Sequence, residues 1–194
     1  MVEVTEASIL VRAARKSHGL TQERLAELSR IDQGSVSRSE RGRDAGFGTI
    51  DRLLAAAGHR LYSAPTRRDD AATIAAEVGK QLRAGDRDRA LRALLQLNDN
   101  LVAEHGLVRG ILGLAEPEST KNPAWDAAIA ALVAWRLGQD RIPLPAWVDN
   151  QGRFLSEPRT LNVDPADPVP PKSEVPEEFV KRGILVWRDT FASV

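Results

Sequence analysis

Leu20–Gly42, LTQERLAELSRIDQGSVSRSERG, decides how this chain is read. Thr21 is a strong helix N-cap, and Arg24 stands where a reciprocal capping box would need Glu, so the cap is single. The predicted helix runs from Gln22 to about Ser29, with Leu25 and Ala26 inward. Arg30, Ile31 and Asp32 form the turn, Ile31 being its apolar plug. Asp32 caps a second short helix, Gln33 to about Arg41, with Val36 inward. Gln33, Gly34, Ser37 and Arg38 are left facing out. Two short helices so joined, the second presenting an amide and a guanidinium, suit insertion into a DNA major groove.

On the N-terminal side, Thr5 or Ser8 caps a helix whose Ala7, Leu10, Val11 and Ala14 share one face, and Gly19 ends it. On the C-terminal side, Gly42 closes the outward-facing helix and the loop RDAGFG follows. A fourth helix over Thr49–Ala57 then buries Ile50, Leu53, Leu54 and Ala57 before Gly58 stops it. Leu61 and Tyr62 start a short extended segment.

Over about residues 7–62 these features resemble the Xre/Cro-type helix-turn-helix of phage repressors and bacterial antitoxins. The resemblance is carried by RAARKSHGLTQERLAELSRID, the VSRSERG close and TIDRLLAAAGHRL. It implies a lambda-repressor-like bundle in which Thr21 and Gln22 contact phosphates. Gln33, Gly34, Ser37 and Arg38 would face the bases, with Ser35, Arg41 and Arg43 near the DNA backbone. Three positions depart from the family pattern. Arg30 replaces the turn Gly, where positive φ is wanted, at a cost of about 1 kcal/mol. Ser39 replaces an apolar core residue, so its hydroxyl must bond back along the helix or weaken the packing. Gly34 replaces a base-reading side chain, which leaves direct readout to Gln33 and Arg38.

Composition fits two modules. A net charge of zero divides into twelve Lys and Arg against eight Asp and Glu over residues 1–68, and fifteen against nineteen over the rest. A basic front and an acidic back suit a DNA-binding head, because phosphate neutralisation needs only local positive charge. The absence of cysteine excludes thiolate metal sites and disulfides. No apolar run approaches the ~20 residues of a membrane span, and MVEVTEAS lacks the regions of a signal peptide, so a cytoplasmic protein is expected. No GxSxG, HExxH, Walker A or GxGxxG occurs, and His18, His59 and His105 have no nucleophile around them. A non-enzymatic protein without cofactor or metal is expected.

The domains read as 1–65, the helix-turn-helix bundle; 66–155, a helical C-terminal domain; and 156–194, a Pro-rich strap with a terminal docking segment. PTRRDD links the first two. Asp70 caps a helix with Ile74, Val78 and Leu82 on one stripe, ended by Gly85. Asp86 caps another to about Glu104, with Ala90, Leu94, Leu97 and Leu101 inward, and the two form an antiparallel hairpin. After the short apolar segment LVRGILGLA, Pro123 starts a helix apolar on most sides, the centre of the domain, with Trp125 and Trp135 read as core. Trp147 reads as exposed between prolines, with Phe154 and Leu155 tucked in. The prolines at 158, 165, 168, 170 and 171 impose an extended strap. A short helix from Pro176, a strand-like ILVW and a last turn follow. The fold class is therefore mainly all-α.

A second resemblance covers AGDRDRALR (84–92), PLPAW (143–147) and FVKRGILVWRDTF (179–191). The arrangement is similar to a group of actinobacterial Xre-type proteins whose genes often neighbour nucleotidyltransferase-like toxin genes. It implies an autoregulating antitoxin that represses at operator DNA and binds its toxin through the C-terminal region. Trp147, Phe179, Ile184, Val186, Trp187 and Phe191 are the partner-binding set. The other reading is a stand-alone regulator whose C-terminal domain dimerises or senses a small ligand. Both imply a homodimer, since one recognition helix makes few base contacts.

Overall fold

The structure is a computed structural model describing residues 6–161 and 166–192; the expected cap Thr5 and the strap's Pro165 fall outside them. It is mainly helical. Helices α1 (Glu6–Ser17), α2 (Gln22–Ser29), α3 (Gln33–Glu40) and α4 (Phe47–Ala56) surround one core. Val11, Leu25, Val36, Leu53 and Leu54 fill it, as their spacing requires. A second, larger core is built by α5 (Ala71–Arg83), α6 (Arg87–Ala103), α7 (Gly106–Leu114), α8 (Pro123–Gln139) and the short α9 (Glu177–Lys181).

Local chemistry sets most of the boundaries. The carboxylates of Asp70 and Asp86 cap α5 and α6 by accepting from the amides of Thr73 and Arg89 at 2.8 and 2.9 Å. Burial and the neighbouring Asp69 push the Asp70 carboxyl above its ordinary range, although the Thr73 bonds oppose this. Ala90, Leu94, Leu97 and Leu101 are fully buried where α6 packs on α5 and α8. Almost every side of α8 is buried, including Trp125, Ile129, Leu132 and Val133. The LVRGILGLA segment is the helix α7.

The strap runs back across this layer. Arg159–Thr160 (β1) pairs in parallel with Ile184–Leu185 (β2), Arg159 opposite Ile184. Phe179 and Phe191 pack edge-on against Trp135, with ring centroids 6.2 and 6.0 Å away. Asn98 ties the end down, its amide donating to the Phe191 carbonyl at 3.2 Å. The Arg136 guanidinium donates to the Asn98 amide oxygen at 2.8 and 2.6 Å and to the same carbonyl at 3.1 Å. Burial and the nearby Arg109 lower the Arg136 pKa to about 10.

Several sequence expectations need correction. Ser8 lies buried inside the first turns of α1 and is not its cap. Helix α4 begins two residues early, at Phe47, which is 74% exposed. Leu61 and Tyr62 form no strand. Trp147 is buried and its indole donates to the Gly113 carbonyl at 3.0 Å, whereas Phe154 is exposed beside the Arg182 guanidinium. On the far side of α1, Ile9 and Ala13 are buried too, because α1 also packs on α5.

Candidate nucleic-acid interface

The geometry of α2 and α3 is fixed at the turn between them. Thr21 Oγ1 accepts from the Arg24 amide at 3.0 Å, as a single cap does. Arg30 adopts φ 55° and ψ 38°, the left-handed conformation the turn demands, and its amide bonds back to the carbonyls of Ala26 and Glu27. Asp32 then accepts from the Ser35 amide at 2.8 Å and starts α3. Ser39 is buried, with its hydroxyl donating to the Ser35 carbonyl at 2.9 Å, so the polar residue at a core position satisfies itself within the helix.

The outer face of this unit carries Gln33, Gly34 and Arg38 exposed, Ser35 and Ser37 half-buried, and Arg41 and Arg43 exposed just beyond. Arg38 does not point freely into solvent. Its guanidinium folds back along α3 to donate to Ser35 Oγ at 2.7 Å and lies 3.7 Å from the Asp32 carboxylate. A Cβ on Gly34 would stand 3.1 Å from both Arg38 Nη1 and Asp32 Oδ1. Gly34 is thus the space into which Arg38 folds, and this brings the cation to the turn that begins with Gln33. Ser35's hydroxyl and amide hydrogen bonds, helped by the Arg38 charge, hold the Asp32 carboxyl below its ordinary pKa.

Thr21 is exposed and Gln22 half-buried at the start of α2. The Gln22 amide donates to Glu40 Oε2 at 2.8 Å. Glu40, 3% exposed, is the centre of a cluster that sequence reasoning missed. Arg15 Nε and Nη2 donate to its two oxygens at 2.5 and 2.9 Å, and Arg12 donates to its backbone carbonyl. Burial pushes the Glu40 carboxyl up, but the Arg15 and Gln22 hydrogen bonds and the Arg15 and Arg12 charges outweigh it, so the pKa ends below the ordinary value. Arg15 is correspondingly raised, chiefly by its bond to Glu40. A signal was present: Arg15 and Glu40 each stand four residues after a core valine, Val11 and Val36, so opposite charges occupy two inward positions.

Residues 11–58 match the helix-turn-helix family. The match covers the α2–turn–α3 unit and ends at Gly58, short of α5 to α9. It supports an Xre-like DNA-binding transcriptional regulator. No curated protein and no solved structure matches the chain significantly. Among the described residues, no helix is long and apolar enough to cross a membrane.

The set expected to bind a protein partner lies elsewhere than at the surface. Trp147, Phe179, Ile184, Val186 and Phe191 are buried and Trp187 is half-buried. Apolar side chains that looked unpartnered in sequence have the chain's own helical layer as their partner, most directly α8. The exposed large apolar residues of this half, among the described residues, are instead Leu107, Leu114, Leu144, Phe154 and Val169.

Proposed function

We propose that this protein represses transcription by binding operator DNA as a homodimer, with α3 in the major groove and Gln33 and Arg38 reading base edges. The observation that carries the reading is the exposure of those two groups at one end of a helix whose core contacts and caps hold it rigidly. An amide suits adenine and a guanidinium suits guanine, each worth about 1–3 kcal/mol of discrimination. In this reading Thr21, Gln22, Ser35, Arg41 and Arg43 contact the DNA backbone, as the resemblance implies, Gln22 keeping its carbonyl oxygen and one amide N–H after bonding Glu40. Selection from a random duplex library, followed by footprinting, tests this. Two half-sites about 34–36 Å apart are expected; no enriched sequence would refute it.

Of the two roles open to the C-terminal region, the antitoxin role rests on the resemblance at 84–92, 143–147 and 179–191. The burial of the aromatic and aliphatic groups assigned to the toxin weakens it, because wrapping a partner would first empty this chain's core. Effector sensing gains from the contact between α1 and the helical layer, which includes a cleft. Purification with the neighbouring gene product separates the two: a stable complex supports the antitoxin role, and elution as a lone dimer supports the sensor.

A further inference from the structure

We propose that the cleft where α1 meets α5 is an effector site for a small molecule with an apolar body and one anionic group, and that its occupation weakens operator binding. The cleft measures about 1060 Å³, slightly above the roughly 300–1,000 Å³ usual for ligand sites, which favour junctions between structural units. Ala72 and Ala76 of α5, short apolar side chains, form its floor. Lys80 and Arg83 stand at the end of that helix, and Arg12 and Glu118 close the side toward the DNA-binding unit.

The charges at the cleft are unevenly committed. Lys80 is held by Glu77 at 3.1 Å. Arg83 has no carboxylate partner among the described residues, and its Nη1 lies 3.3 Å from where a Gly79 Cβ would be, one turn beyond Ala76 on α5. A cation beside an apolar floor is what an amphipathic anion needs. Across the cleft, Oε1 of Glu118 is buried and accepts no hydrogen bond, although Arg12 Nε and Lys16 Nζ lie 3.5 and 3.1 Å away.

Arg12 links this cleft to the candidate DNA contacts. Besides meeting Glu118, it donates to the Glu40 carbonyl, and the Glu40 carboxylate accepts from Arg15 and from Gln22 at the start of α2. With the anion on Arg83, an apolar body lodged between α5 and α1 displaces Arg12, which takes a donor from the Glu40 carbonyl at the end of α3 and shifts the anchor of Gln22. The coupling rests on the operator-binding reading; the binding site itself does not. A ligand acts this way only by its different affinity for the two states, and linkage makes the effect reciprocal.

The test uses the full-length chain with anilinonaphthalene sulfonate, a fluorescent probe that has an apolar body and one anionic group. One saturable site is expected, with affinity falling at least about tenfold in Arg83→Glu, where like charges now face each other, and similarly in Ala76→Phe, which fills the floor. Neither residue belongs to the DNA-facing set, so both variants should keep the wild-type circular dichroism and probe-free operator affinity. Because Arg83 is exposed, its variant decides the matter if Ala76→Phe fails to fold. Saturating probe should weaken wild-type operator binding by about fivefold or more. Equal probe binding by wild type and Arg83→Glu, or no saturable binding, overturns the site. Saturable binding with unchanged operator affinity overturns the coupling. A protein that binds no DNA even without probe refutes the operator reading, and the titration still judges the cleft.

Discussion

Gly34 and Glu40 show how two single residues shape the outer face of the helix-turn-helix unit. On sequence grounds Gly34 is a missing reader, yet its lack of a side chain gives the Arg38 guanidinium a place to lie beside Asp32 and Ser35. Gly34→Ala should therefore displace Arg38 and change the sequences recovered by duplex selection. Stability should shift by less than about 1 kcal/mol, since alanine's better helix propensity offsets the crowding. Glu40 is an interior acid satisfied by Arg15 and Gln22. Glu40→Gln leaves the buried Arg15 without its bonded carboxylate and should cost about 3–5 kcal/mol in thermal or urea unfolding. The sign with pH follows from the depressed carboxyl. Its contribution is complete above the unfolded value of about 4.3 and is lost as pH falls through the lower folded value. Melts from neutral pH downward should show an acid-labile wild type and a Glu40→Gln variant with a shallower dependence.

At the scale of elements, helices announced by caps and periodicity were legible in the sequence. Thr21, Asp32, Asp70 and Asp86 each cap the helix expected of them, and the strained turn at Arg30 adopts the predicted conformation. Less legible was what tertiary packing decides. The start of α4 has no side-chain cap to mark it. Ile9 and Ala13 fall off the stripe facing the first core because α1 serves two neighbours. The candidate contact residues could be placed on α3, but not the backward fold of Arg38, a rotamer set locally by Asp32, Gly34 and Ser35, nor the Glu40 cluster, which joins groups 18 to 28 residues apart in sequence. The terminal segment misled most. An apolar run after a proline strap needs a cover, and sequence does not say whether another chain or the same one supplies it. Here Phe179, Ile184 and Phe191 close the core around α8. Truncation after residue 155 should therefore melt the helical layer. Removing these three alone forfeits about 1.5–3 kcal/mol each, which compares with the roughly 5–15 kcal/mol of a whole domain. Loss of the cooperative transition by calorimetry is expected; an unchanged transition would show that the segment is an appendage.

For the whole molecule, the charge division and the two cores describe one arrangement. The basic front presents α3, the acidic back encloses α8, and α1 lies between them with contacts to both. In the coupling proposed above, that placement would carry an event in the helical layer to the candidate DNA surface without a hinge, through Arg12 and Glu40. The proposed function, though not the cleft, depends on α3 reading bases. The most direct measurement is fluorescence anisotropy of the selected duplex and of a scrambled duplex, titrated with wild type and with Arg38→Ala at one salt concentration. Arg38→Ala should lose about 1–3 kcal/mol of the preference for the selected duplex while its affinity for the scrambled one changes little. If both proteins distinguish the two duplexes equally well, Arg38 reads no base and the account of this surface is wrong.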